Sequence, residues 1–297
     1  MKNSKKKLII DKIINAIFLS ICLLCASTIV FIVLFILIKG LTPFIHYKTS
    51  VFDFLFGISF IKGKYGVFGL VINTIVIVGA AVGIAVPLSV LTSLFIVRLA
   101  PKKISAVMQT IVELLSAIPS IIFGLFGMGV INPIVRELAN LLGYQTAGGV
   151  STLSVIIVLM MMITPTITIL SITSMKGVNE DLILASLALG ATKTQTNFKI
   201  VVSGAKGGIF AAIILGIGRA LGEATAVSMV CGGSNTLSLG IFSPTGTLTS
   251  TMLRELYESS GLDYDIRFSV GIVLVLIILI SNFILNMVKK RICKYDR

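Results

Sequence analysis

The chain has 297 residues, of which 56% are hydrophobic and 12% charged, with no Trp and a mean hydropathy of +1.06. A water-soluble domain needs more polar surface than this, which excludes a soluble enzyme. The net charge of +13 arises from 25 basic and 12 acidic residues, but no basic patch with interleaved aromatics is present, so nucleic acid is not a partner the sequence supports.

Long charge-free runs set the class. Ile13–Ile38, Val67–Val97, Val150–Met175 and Phe268–Val288 carry no charged residue, and roughly 20 apolar residues cross a bilayer core as a helix. Ile104–Val135 holds only Glu113, and Gly207–Cys231 holds only Arg219 and Glu223. The expectation is an all-α polytopic membrane protein with six spans over 13–38, 68–97, 104–131, 152–175, 208–231 and 268–288, in contact with lipid. The basic N-terminus MKNSKKKLIIDK precedes an apolar run too long for a signal peptide and is read as the flank of a retained first helix. With the N-terminus in the cytoplasm, 17 of the 25 Lys and Arg residues fall in cytoplasmic segments and seven outside. This is the positive-inside pattern, and it places both termini in the cytoplasm.

Span one, whose Cys22 and Cys25 lack the further ligands a metal site needs, is followed by an outside loop rich in Phe and Lys. Residues 1–66 are therefore separated from a core at 67–291, and 292–297 is a tail. Pro87, Pro119 and Pro165 interrupt spans two, three and four, and a kink or break is expected at each. Broken helices are a feature of transporters. The outside segment 232–266 is rich in Gly, Ser and Thr. It is expected to hold a short helix over 247–260, capped by Thr249 or Ser250 and stopped by Gly261.

The longest cytoplasmic connection, 176–207, contains VNEDLILASLALGAT. Asn179 is a good N-cap, Glu180 and Asp181 suit the positive end of a helix dipole, and Gly190 is a natural stop. A helix of about ten residues follows, with Leu182, Ala185, Ser186 and Leu189 on one face. Such a face lies on the membrane surface or docks into another protein.

The spacing of this loop resembles the signature of binding-protein-dependent ABC importer permeases: Glu-Ala-Ala, three residues, Gly, nine residues, Ile-x-Leu-Pro. Ala185 and Ser186 occupy the alanine positions, and Gly190 is followed at that spacing by Ile200. Leu184 stands in place of Glu, and Ser203 in place of Pro. AVPLSVLTSLFIVRLAPKK, ELLSAIPSIIFGLFG and GRALGEATAV extend the resemblance to the PstC-type permeases of phosphate importers, over roughly 68–288. The resemblance implies a MetI-like bundle in a bacterial plasma membrane. It also implies a second, PstA-like permease chain, a cytoplasmic PstB-like ATPase dimer and an external PstS-like phosphate-binding protein. Leu182, Leu184, Ala185, Ser186, Leu189 and Gly190 would then couple to the ATPase. The chain has no GxxxxGK[ST] loop, so ATP would be hydrolysed elsewhere, and no cofactor is expected. Arg-Ala-Leu-Gly-Glu also occurs in permeases for sulfate, molybdate and tungstate, so the oxyanion class is marked more sharply than phosphate.

The two charges in GRALGEATAV carry the chemistry. An arginine at mid-membrane costs about 2.5–3.5 kcal/mol on insertion scales, and such residues face a protein interior or water. Glu223, one turn on, and Glu113, at similar depth in span three, are both partners open to Arg219. Gly218 and Gly222, with Ala212, Gly216 and Ala220, suit close helix packing. One reading is a buried structural ion pair. The other is a substrate pathway of Arg219, Glu223, Glu113 and Thr225, in which the guanidinium binds a phosphate oxygen pair. The hydroxyl of Thr225 lies one position later than the family pattern places it. A proton-coupled secondary transporter would use the same charges as a relay but leaves the loop spacing unexplained. A membrane enzyme finds no HExxH motif and no nucleophile–base pair.

Overall fold

In a computed structural model, residues 2–238 and 240–293 are described. Side chains can be discussed for 11–292 apart from position 239. Residues 294–297, most of the expected tail, lie outside the described part.

Helix α1 (Lys2–Ile45) leads to α2 (Val51–Phe56) and a two-stranded antiparallel hairpin, β1 (Phe60–Ile61) and β2 (Lys64–Tyr65). Helix α3 (Phe68–Leu94) continues through a π-helical turn, Phe95–Leu99. Helix α4 (Lys102–Ala117) is followed by α5 (Ser120–Phe126), which runs through another wide turn into α6 (Asn132–Leu141). Next come α7 (Thr152–Lys176), α8 (Glu180–Ala188) and α9 (Lys193–Thr196). The chain ends with α10 (Lys206–Gly222), α11 (Thr225–Val230), α12 (Leu248–Leu253) and α13 (Leu262–Cys293).

Among the described residues five helices are long and apolar enough to cross a membrane: Asp11–Ile45, Phe68–Leu99, Ser120–Leu141, Thr152–Lys176 and Leu262–Ile292. A bent pair, Lys193–Val202 and Lys206–Gly222, at 64° to each other, makes a sixth when counted as one span. Of the six spans expected, five are single helices and the sixth is met only by the bent pair counted as one span; two of the expected ranges are corrected. Span three is Ser120–Leu141, not 104–131, because Pro119 ends α4 and starts a new helix. Span five stops at Gly222 and restarts at Thr225, so 208–231 is not one helix.

The prolines behave unequally. Helices α3 and α7 run unbroken past Pro87 and Pro165. A proline costs a helix one hydrogen bond, which neighbouring helices and side chains can make good. These two helices also pack tightly together. Ala81, Ala85, Ser89 and Ser93 recur every fourth residue on α3 and all are buried. Ser89 Oγ donates to the Thr164 carbonyl at 3.1 Å, and Ser93 Oγ to the Thr168 carbonyl at 3.0 Å. Small residues let backbones approach where lipid offers no hydrophobic drive. Helix α10 uses the same device, laying Ala212, Gly216 and Ala220 on the bundle core, with Gly216 against Ile167. Gly218 and Gly222 take no part in this packing and border open space.

Helix α1 packs along α13: Phe35 meets Phe268 edge-on, Lys39 pairs with Asp265 at 3.5 Å, and Ser269 Oγ donates to the Gly40 carbonyl at 2.6 Å. A side chain at Gly40 would collide with the Phe268 backbone. The end of the bundle bearing residues 177–205 is called the loop end below. At the opposite end, buried Asn73 ties α3 to the 232–246 segment: its amide donates to the Thr236 and Gly246 carbonyls, and its Oδ1 accepts from the Ser238 N–H. The short helix expected over 247–260 covers only Leu248–Leu253, and Thr247 is its cap, in a reciprocal box with Ser250. Beyond it Glu255 has φ 55, which is incompatible with a continuing helix.

Gly149 has φ +88, and a β-carbon there would meet the Asn132 carbonyl. Gly129→Ala meets nothing within 4 Å. Gly149→Ala is therefore expected to destabilise the fold by about 1–3 kcal/mol, and Gly129→Ala to leave it unchanged. Thermal unfolding midpoints of the detergent-solubilised chain check this, and equal midpoints would refute the packing assigned to this loop.

Candidate functional site

Two helix interruptions meet on the bundle, with Pro119 and Thr225 exposed and Ser120 and Glu223 half-buried. One is Pro119, which starts the Ser120–Leu141 span without a side-chain cap. The other is Glu223–Ala224, between α10 and α11. The Glu223 carboxylate turns back over the new helix: its Oε1 accepts from the Ala226 N–H at 2.9 Å and from the Thr225 hydroxyl at 2.8 Å. Ser120 Oγ lies 2.9 Å from Thr225 Oγ1. Thr249, on α12, donates its hydroxyl to the Glu223 carbonyl at 2.8 Å. A carboxylate and two hydroxyls are thus gathered where two helices begin, and the positive ends of helix dipoles favour negative charge.

Arg219 sits one turn earlier on α10, half-buried. Its Nη1 donates to Thr166 Oγ1 on α7 at 2.6 Å. Among the described residues no ion pair joins Arg219 to either carboxylate. Instead the guanidinium lines an open groove of about 680 Å³ between α7, α10 and α13.

Glu113 is elsewhere. It is exposed on α4 and accepts from the Gln109 amide at 2.8 Å, while Gln109 accepts from Lys176 Nζ at 2.8 Å. Lys176 closes α7, whereas Thr166, the partner of Arg219, lies ten residues further in, a rise of about 15 Å. The equal depth expected of Glu113 and Arg219 assumed that α4 was part of span three; with the helix ending at Ala117, it fails.

The predicted set thus divides. Glu223 and Thr225 are together, Arg219 is nearby but separately held, and Glu113 is at the loop end. Sequence reading passed over Ser120 and Thr166. A serine directly after the proline that starts a span was the available signal for Ser120, whereas nothing local distinguished Thr166 from its neighbouring threonines.

The loop helix matches its expected start and stop. Asn179 Oδ1 accepts from the Asp181 N–H at 2.9 Å, and Gly190 follows the helix with φ +86. Ile183 anchors α8 in a cluster with Leu94, Met175, Val201, Ala205 and Ile209. Ser186 turns inward and shares a hydrogen bond with Thr196 at 3.0 Å. Ala185 is exposed, as are Leu182, Leu184 and Leu189, at 57%, 59% and 89%. With Leu187 also exposed, a helix with one buried anchor carries four exposed leucines and offers apolar surface to something outside the chain.

Residues 85–294 match the family described as binding-protein-dependent transport system inner membrane component. The chain belongs to this family. Among its relatives is the probable ABC transporter permease protein YqgH of Bacillus subtilis, 31% identical over 280 residues, covering 92% of this chain and 89% of that one. Another is the phosphate transport system permease protein PstC of Pasteurella multocida, 30% identical over 262 residues, covering 80% and 82%. In solved structures the fold matches a bacterial ABC transporter that imports alginate, with a TM-score of 0.60, 16% identity and coverage of 91% and 95%. The MetNI methionine ABC transporter also matches, with a TM-score of 0.56, 20% identity and coverage of 76% and 94%. The permease is accordingly a multi-pass membrane transport subunit rather than an enzyme. Permeases of this family work with ATPase and substrate-binding partners.

If Glu223 caps α11, Glu223→Ala removes an N-cap acceptor worth about 1 kcal/mol, a rise of about five-fold in amide exchange at Ala226. Glu223→Gln keeps an acceptor oxygen and is expected to keep most of the protection. Hydrogen–deuterium exchange read by mass spectrometry distinguishes the two, and equal exchange in both variants would remove the cap.

Proposed function

We propose that the permease is one half of the transmembrane pathway of an ATP-driven phosphate importer. The observation that carries this reading is the polar cluster at the two helix breaks, with Arg219 one turn away, in a chain 30% identical to a phosphate transport permease. Neither acid neutralises Arg219 in this structure, so its charge is available to an anion in the groove. A planar guanidinium matches two oxygens of a tetrahedral oxyanion. Glu223 accepts a hydrogen bond from a P–OH group of protonated phosphate, with no proton transferred, and repels the bare dianion. Thr225 and Ser120 offer hydroxyls beside it. Glu113, at the loop end, stands at the mouth of the path rather than at its centre.

The basic distribution orients the permease with the loop end and both termini in the cytoplasm. A PstS-like binding protein delivers phosphate to the opposite end. A PstB-like ATPase dimer receives the exposed face of α8, and a PstA-like chain completes the pathway. Nucleotide-driven movement of α8 reaches the bundle through Ile183 and its cluster, and access alternates between the two sides. Leu184 replaces the glutamate of the loop signature, which leaves the apolar contact of Leu182, Ala185 and Leu189 as the main grip.

Two measurements test this. Labelled phosphate uptake is expected to depend on the chain, to resist excess sulfate or molybdate, and to fall to background in Arg219→Leu with the complex still assembled. Uptake that survives this substitution in an assembled complex refutes the role of Arg219, and uptake abolished by sulfate or molybdate moves the substrate to another oxyanion. Separately, the double variant Leu182→Glu, Leu189→Glu places two charges on the docking face. It is expected to lose co-purification of the ATPase while the chain keeps its own thermal midpoint, because neither leucine is buried in the chain.

A further inference from the structure

The groove beside Arg219 holds more polar chemistry than a lipid-facing surface would. Its α13 wall is formed by Asn282, Asn286 and Lys289, spaced i, i+4 and i+7 and therefore on one helix face. The run Phe268–Val288 is otherwise almost wholly apolar, and amides within a span are costly unless they find partners or water. Among the described residues neither asparagine side chain has a hydrogen-bond partner, and Lys289 makes no ion pair. Among the described residues no carboxylate lines the groove. Its remaining polar groups are Arg219 and Thr166, already bonded to each other.

Depth arranges these residues in series. Helix α10 leaves the loop end at Lys206 and α13 returns to it at Cys293, so the two run antiparallel along the groove. Arg219 and Asn282 form its inner part, Asn286 lies one turn nearer the loop end, and Lys289 nearly one more. The seven residues from Asn282 to Lys289 rise about 10 Å. A cation would find nothing here but repulsion from two fixed positive charges. A second protein chain packed on this face would have to bury both of them. A partly dehydrated oxyanion finds a guanidinium, two amide N–H donors and an ammonium in succession.

We propose that the Asn282–Asn286–Lys289 face of α13 is the inward leg of the anion path, passing a tetrahedral oxyanion from Arg219 to the loop end. The proposal rests on the phosphate-importer reading and adds three residues to its pathway. Amide donors bind an anion more weakly than a charged group does, which suits release: a ladder must hold the ion strongly enough to enter and weakly enough to leave.

The test uses the complete importer in membrane vesicles, with uptake of labelled inorganic phosphate expressed per assembled complex. Asn282→Leu with Asn286→Leu is expected to lower the maximal rate about ten-fold, by removing donors to a charged ligand. The KM for external phosphate should not move, because capture precedes this leg. Lys289→Arg should stay near the parent rate, and Lys289→Glu should fall well below it. Unchanged rates per complex in the double variant and in Lys289→Glu overturn the ladder. So does a double variant that assembles poorly but transports normally per complex, which would make the face a contact with the second permease chain. If the double variant does not assemble at all, Lys289→Glu against Lys289→Arg decides alone. Arg219→Leu in the same vesicles separates the two levels: loss of uptake there with normal α13 variants removes only the inward leg, and normal uptake there removes the pathway reading itself.

Discussion

Inside a bilayer a helix can stop only where other groups satisfy the amides and carbonyls it leaves open. The interruption at Glu223–Ala224 meets this constraint with three residues. Glu223 supplies the acceptor for Ala226, Thr225 shares that carboxylate oxygen, and Thr249 reaches from α12 to the Glu223 carbonyl. The last contact makes the 247–253 segment part of the membrane bundle. Thr74 Oγ1, accepting from the Leu248 N–H, fixes the same segment to α3. The break is thus held from two directions, and a helix start remains there, pointing at a polar cluster instead of into lipid.

The rest of the bundle supports this arrangement by packing without side-chain bulk. The small-residue stripes of α3 and of α10 clasp α7 from two sides. The stripe Ala212, Gly216 and Ala220 uses one side of α10, so Gly218 is free to leave room on another. That room is the groove into which Arg219 points. A single helix thereby divides its glycines and alanines between close packing and open path.

This division explains what could be read from the sequence and what could not. The α8 lever was legible because its signals are local: Asn179 caps within two residues, and Gly190 stops the helix by a backbone conformation other residues rarely adopt. The five unbroken apolar spans announce themselves because hydropathy is additive, whereas the bent pair Lys193–Val202 and Lys206–Gly222 does not. The break at Glu223 was not legible, because no proline marks it and the partner that makes it affordable, Thr249, is 26 residues away. The third span was displaced for a related reason. Residues 104–135 are almost free of charge, and a window cannot distinguish α4, which exposes most of its surface, from the true span beginning at Ser120. Pro87, Pro119 and Pro165 look alike in sequence. Only Pro119 ends a helix, because α3 and α7 are held along their length by each other while α4 has no comparable neighbour.

The separation of Arg219 from both carboxylates has a mechanistic consequence. A buried Arg–Glu pair would be stable and inert, since an anion would have to displace the acid before binding. In this bundle the guanidinium is held by a neutral hydroxyl, Thr166 Oγ1, while Glu223 is occupied with capping a helix. A hydroxyl orients the arginine without neutralising it, and the capping bonds keep the carboxylate from swinging across to do so. The same bonds tie the charge of Glu223 to the position of α11, so movement of α10 against α11 changes how that carboxylate is spent. When the cap is made, the acid is partly compensated by an N–H and a hydroxyl.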